Sequence, residues 1–168
     1  TTFTAQGAEA AYSTRAADWG VSLSGGATVL EQRVNATGTL TLSSKIGEGT
    51  QLQLTGSRQM APAFFGVPGA LISTVGGISI EHKFERGLTL TGNANYAYNE
   101  IAPTKTSTFE SYTTSALLAY NLTRSITTSL LYSYTYFEAS QVNFATQNIT
   151  GYLVNRHFVT FSVTAVWN

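Results

Sequence analysis

From Trp19 onward, apolar and small polar residues alternate one for one, the period of a β-strand and not of a helix. Trp19, Val21, Leu23, Gly25, Ala27 and Val29 share one parity against Ser22, Ser24 and Thr28. Leu40 and Leu42 oppose Thr39, Thr41 and Ser43; Leu52 and Leu54 oppose Gln51, Gln53 and Thr55. Ile78, Ile80, His82 and Phe84 oppose Ser79, Glu81 and Lys83. Leu88, Leu90, Gly92, Ala94, Tyr96 and Tyr98 oppose Thr89, Thr91, Asn93, Asn95, Ala97 and Asn99. Tyr112, Thr114, Ala116, Leu118, Tyr120 and Leu122 oppose Thr113, Ser115, Leu117, Ala119 and Asn121. Ile126, Leu130, Tyr132, Tyr134 and Tyr136 oppose Thr127, Ser129, Ser133 and Thr135. Val159, Phe161, Val163, Ala165 and Trp167 oppose Thr160, Ser162, Thr164 and Val166. The pattern predicts eight strands.

The connections between them are of two kinds. Lys45–Gly49, Glu85–Gly87 and Asn121–Arg124 are short, and each carries a charge or glycine. The others, Leu30–Asn35, Gln59–Leu71, Glu100–Glu110 and Glu138–Asn148, are longer. Short turns alternating with long loops predict an antiparallel up-and-down sheet, with both strand ends on the short-turn side. The face that is not apolar is made mostly of Ser, Thr, Asn, Gln, Ala and Gly, with Leu117, Leu131 and Val166 the bulkiest, too small and too polar for the interior of a soluble barrel. The apolar parity therefore belongs against lipid, and the predicted fold is all-β: a transmembrane barrel of about eight strands with short periplasmic turns and longer extracellular loops. Residues 19–168 form this barrel. Residues 1–18, without strong periodicity, are expected to be a plug, an extra strand or the remnant of one.

Aromatic residues sort by height on the apolar parity. Tyr96, Tyr98, Tyr112, Tyr132, Tyr134 and Tyr136 fall at the long-loop ends, and Trp19, Phe84, Tyr120 and Trp167 at the short-turn ends. Two interfacial girdles are the expected result. The opposite parity, Thr39, Thr41, Gln51, Gln53, Thr91, Asn93, Asn95, Thr113, Ser115, Ser129, Ser133, Thr160 and Ser162, is expected to face the lumen.

Composition strengthens the membrane reading. Charged residues make up 11% of the chain, against about 25% in an ordinary soluble domain. The charges fall in short clusters separated by uncharged stretches long enough to cross a bilayer as strands, and no stretch approaches ~20 consecutive apolar residues. Nine basic and nine acidic residues cancel, so there is no basic stripe for nucleic acid. Cysteine is absent, which excludes disulfides, thiolate metal sites and a Cys nucleophile.

The last strand, Val159–Asn168, resembles the C-terminal signature of bacterial outer-membrane barrels, with alternating hydrophobics and a closing aromatic, here penultimate. Leu54-Thr55-Gly56-Ser57-Arg58-Gln59, Tyr120-Asn121-Leu122-Thr123-Arg124-Ser125, Leu131-Tyr132-Ser133-Tyr134 and Asn155-Arg156 resemble the C-terminal part of a group of β-barrel porins associated with exopolysaccharide-export loci. The likeness covers residues 50–168. It implies a Gram-negative outer-membrane location, and because members of that group are longer, a place within a wider barrel.

Catalytic chemistry finds little purchase. Glu81 neighbours His82 in sequence, yet adjacent strand residues point to opposite faces, so it cannot orient the imidazole. His157 precedes the last strand, where the lipid A deacylase family pairs its His with a Ser two residues on; here that position is Val159. Two distant histidines make no metal site. The carboxylates lie mostly in turns and loops with no identifiable acid–base pair, and Gly47-Glu48-Gly49 and Gly76-Gly77 precede no helix that would cradle a phosphate. No catalytic residue, metal or cofactor is expected. The apolar loop Gln59–Leu71 is expected to constrict the lumen, to bind a partner, or to extend the strands outward.

The expected function is a non-enzymatic pore, or the membrane component of an export or surface assembly, with a small-polar and nearly uncharged lumen. The alternatives are a closed anchor whose loops bind partners and, less favoured, a lipid-modifying enzyme. The expected partners are outer-membrane lipid and either envelope or surface proteins or polysaccharide.

Overall fold

A computed structural model describes residues 6–30, 33–62, 70–102, 108–144 and 147–166. In it the alternating segments form one antiparallel sheet in which each strand pairs with its neighbour in the chain. The strands are β1 (Gln6–Arg15), β2 (Trp19–Leu30), β3 (Arg33–Ile46), β4 (Thr50–Pro62), β5 (Ala70–Lys83), β6 (Leu88–Ala102), β7 (Thr108–Asn121), β8 (Ile126–Phe144) and β9 (Gln147–Ala165). Among the described residues the only helical element is a single 3-10 turn, Glu85–Gly87, between β5 and β6.

The eight predicted strands are β2 to β9. The ninth, β1, pairs along its whole length with β2, from Gln6 opposite Val29 to Arg15 opposite Gly20. It escaped the pattern because alanine occupies both parities, Ala8 and Ala10 against Ala11. Strand β1 therefore starts at the long-loop end and β9 finishes at the short-turn end, which corrects the expectation that both strand ends share one side. Residues 1–5 and 63–69, part of the expected plug and most of the apolar loop, lie outside the described residues, as does Trp167.

The long connections are shorter than expected, because the strands run on into them. Strands β8 and β9 pair out to Phe144 opposite Gln147, so most of the expected Glu138–Asn148 loop is hairpin. Residues 59–62, 70–71, 100–102 and 108–110 are likewise strand. Beyond the tyrosines apolar and polar residues no longer sort cleanly by face, and the alternation that marks a strand in sequence fades.

The short-turn end is held by backbone bonds that reach the neighbouring strand: Lys45 N donates to Asp18 O (2.7 Å), Lys83 N to Gly49 O (2.8 Å) and Val166 N to Ser125 O (2.9 Å). Gly47 supplies the positive φ (68°) that the β3–β4 turn requires, and Arg86 (65°) and Gly87 (78°) do so between β5 and β6.

No hydrophobic core exists in the usual sense. Among the described residues the buried apolar side chains are Ala70, Ile72 and Ala139, all near the long-loop end. The 18.0 kDa chain presents 11719 Å² to its surroundings, against about 8,000 Å² for a compact soluble protein of that mass. The excess comes largely from one face: Ile78 is 45% exposed, Leu118 41%, Leu130 46% and Phe161 67%. In β7, Tyr112, Thr114, Ala116, Leu118 and Tyr120 are exposed while Thr113, Ser115, Leu117 and Ala119 are partly enclosed. Gly76, Ile78 and Ile80 of β5 are exposed and Gly77, Ser79 and Glu81 partly enclosed. A sheet that curls with its small-polar face inside produces this alternation. Its large apolar face points outward, with no protein against it.

Replacing Gly47 by Val puts a β-branched side chain at positive φ and is expected to lower stability in detergent micelles by about 1–2 kcal/mol. Gly25→Ala, where an added Cβ meets nothing within 4 Å, is expected to change it by less than about 0.5 kcal/mol. Urea unfolding followed by tryptophan fluorescence measures both.

Candidate permeation surface

Strand pairing fixes which side chains share the inner face. One row across the sheet reads Ser13, Ser22, Thr41, Thr55, Gly77, Asn95, Thr113, Thr135, Arg156, and the next Arg15, Gly20, Ser43, Gln53, Ser79, Asn93, Ser115, Ser133, Phe158. All thirteen residues expected in the lumen fall on this parity, including Thr39, Gln51, Thr91, Ser129, Thr160 and Ser162. Their short side chains bond across strands: Ser24 with Thr39 (2.7 Å), Ser129 with Ser162 (2.7 Å), and Asn93 Nδ2 donating to Ser115 Oγ (3.4 Å). At Gly77 an added Cβ would strike the Asn95 amide and the Thr55 hydroxyl, so glycine lets these two side chains close over the strand. Toward β1 the face opens into a shallow trough lined by Ser13, Arg15, Ser22, Thr41, Ser43 and Gln51.

Charge on this face is greater than the sequence led us to expect. Arg15, Lys45, Glu81 and Lys83 share its parity at the short-turn rim, and Glu9 and Arg156 lie on the first and last strands. Glu81 and Lys83 form an ion pair (3.2 Å). Between that rim and the long-loop end, the face of β3 to β8 carries only uncharged residues by register. By register this face is uncharged across the mid-height of β3 to β8, charged at the short-turn end, and carries Glu9 and Arg156 on the first and last strands.

Aromatic residues on the inner face are the main feature that the sequence pattern missed. Register places Phe109, Phe137, Tyr152 and Phe158 there. Phe137 continues the parity of Thr135 along β8 and Phe158 that of Thr160 along β9, and that continuity was the available signal. Phe109 lay in a segment taken as loop, and Tyr152 in residues 149–158, which were placed in neither a strand nor a loop.

On the outer face, Tyr96, Tyr112 and Tyr136 form a continuous belt across β6 to β8, with ring centroids 4.8 Å and 5.8 Å apart. Tyr98, Tyr132 and Tyr134 share that parity. One row further out stand Arg58, Tyr98, Glu110 and Glu138. Arg58 reaches over to pair with Glu100 (3.6 Å) and donates to Thr74 Oγ1 (3.0 Å), and Tyr136 Oη donates to Glu138 Oε2 (2.6 Å). Full charges on the apolar parity begin at this row, so it bounds the apolar band on the long-loop side. From Tyr112 to Tyr120 is one crossing of β7. At ~3.3 Å per residue and the usual barrel tilt this gives a band on the order of 20 Å tall. Trp19 lies exposed at the opposite end. Phe84 lies just past β5, its ring edge-on to His82 at 4.2 Å.

The histidines serve this architecture. His82 shares a 2.6 Å hydrogen bond with Thr50, while Glu81 points to the other face. His157 shares one of 3.0 Å with the Tyr132 hydroxyl and lies against the Tyr134 ring (4.9 Å). Among the described residues no group of three or more His, Cys, Asp or Glu side chains could hold a metal.

No curated protein and no solved structure matches this chain. A family model described as "Putative beta-barrel porin 2" matches residues 34–156, from β3 into β9 and well over half of the sequence. With a lipid-type outer face, an enclosed polar inner face and this match, the chain belongs to that family of porin-like membrane β-barrels.

Proposed function

We propose that this chain forms the wall of a non-enzymatic pore in the bacterial outer membrane, passing neutral, hydroxyl-rich solutes. One observation carries the reading: from β3 to β8 the inner face at mid-height is uncharged and lined mostly by small polar side chains, several bonded to one another across strands, with Leu117 and Leu131 the bulkiest. A soluble core would need large apolar groups there, and an ion-selective filter would need rings of charge. Ser, Thr, Asn and Gln offer donors and acceptors matched to sugar hydroxyls, which makes polysaccharide or oligosaccharide the natural cargo. Lipid contacts the outer face, the tyrosine belt lies among headgroups, and the strand extensions beyond Glu110 and Glu138 stand in the extracellular medium.

The pore is wider than nine strands. Strands β1 and β9 are the edges of the sheet and run in the same direction, so an antiparallel closure needs an odd number of further strands between them. In hydrocarbon an open edge would leave its outward backbone groups unsatisfied, at a cost of several kcal/mol each.

Reconstitution into planar bilayers is expected to give stable conductance steps with weak ion selectivity. The double substitution Asn93→Asp with Ser115→Asp, adjacent on the inner face, is expected to turn the pore cation-selective, read as a shift in reversal potential under a salt gradient. Silence from protein that is folded by heat-modifiable mobility would refute the pore. Folding into lipid vesicles checks the two faces: Leu118→Arg is expected to cost about 2–4 kcal/mol, and Ser115→Arg about 1 kcal/mol or less.

A further inference from the structure

Four aromatic side chains stand on a face that is otherwise mostly small and polar, and they fall in a line. Phe109, Phe137 and Tyr152 come from three successive strands near the long-loop end, with ring centroids 5.9 Å and 6.4 Å apart. Phe158 continues the line along β9, opposite Ser133 and six residues beyond Tyr152, or ~20 Å at the usual strand rise. Between them lies Arg156, opposite Thr135. Phe109 and Phe137 are half-buried, while Tyr152 (54% exposed) and Phe158 (47%) stand on the edge strand β9. Exposed aromatic surface in a water-filled lumen is unfavourable unless a ligand covers it. The surroundings say which ligand. Flat rings take the C–H faces of a pyranose, while Ser111, Thr135 and Arg156, all on the same face, meet hydroxyls at its rim. A purely apolar guest would leave these polar groups unpaired, and an anion would find a single cation.

We infer that Phe109, Phe137, Tyr152 and Phe158 form a descending track that binds successive rings of a neutral sugar chain, from the long-loop mouth to mid-height along β7 to β9. The inference rests on the pore reading and names the cargo of that same face. Each aromatic contributes a stacking contact, so its loss shortens the residence of the chain without blocking the lumen.

The test uses maltohexaose as probe. With pores in a planar bilayer, the sugar is expected to produce transient current blocks whose mean duration falls roughly 2- to 10-fold in Phe137→Ala and again in Phe158→Ala. Phe137→Tyr is expected to retain the blocks, and Tyr12→Ala, on the outer face, to leave their duration as it was. Should an alanine variant fail to fold, Phe137→Leu removes the flat ring and keeps the bulk, and the same shortening is expected. Open pores without sugar blocks, or blocks of equal duration in the alanine or leucine variants, overturn the track and leave the pore standing. If folded protein gives no pores, the pore reading fails by itself, and saturation-transfer NMR of maltohexaose with micelle-folded protein decides the track. Contact that is lost in Phe137→Ala and Phe158→Ala sustains it, and no contact with wild type overturns it.

Discussion

Hydrocarbon offers no hydrogen bonds, so a chain that crosses it in strands must pair every strand along both edges, and the rest of this structure follows from that demand. Pairing of each strand with its chain neighbour from β1 to β9, one-to-one except for a shift between Thr108 and Phe109, fixes the register. Register then fixes the faces, because side chains alternate and a slip of one residue would exchange them completely. Leu118 and Ser115 could not trade places without placing a row of hydroxyls against lipid and a row of leucines in the lumen. The apolar face has no protein partner, and its exposed leucines, isoleucines and valines are stable only because lipid covers them.

How much of this could be read from the sequence depended on whether the two faces met different solvents. Where one side meets lipid and the other water, as at Leu88–Tyr96 or Tyr112–Tyr120, the alternation is clean and the strands were placed within a few residues. Past Glu110 and Glu138 both sides meet water, alternation carries no information, and strand was taken for loop. Strand β1 was hidden for a related reason: alanine suits either face, so Ala8, Ala10 and Ala11 mark neither. The inner aromatics fell outside the clean alternation, Phe109 in a segment taken as loop, Tyr152 in residues 149–158 placed in neither a strand nor a loop, and Phe137 and Phe158 at the borders of predicted strands. Only the pairing partners of these residues show which way they point.

Charge obeys the same geometry. Arg58, Glu110 and Glu138 share the parity of the lipid-facing residues but stand above the tyrosine belt, where Arg58 pairs with Glu100 and Glu138 accepts from Tyr136. At the opposite rim Lys45, Glu81 and Lys83 take the inner parity, where water reaches them. Both arrangements keep full charges out of hydrocarbon while allowing the strands to continue through it. The uncharged mid-height between them follows from this spacing.

The absence of cysteine makes a single-cysteine scan of β7 the most direct test of the two faces. Spin labels introduced one at a time from Thr113 to Tyr120, in protein folded into vesicles, report collision with oxygen, which dissolves in lipid, and with a water-soluble nickel chelate. The account predicts oxygen access at Thr114, Ala116, Leu118 and Tyr120 and chelate access at Thr113, Ser115, Leu117 and Ala119. Chelate reaching Ala116 and Leu118 as readily as Ser115 would contradict it.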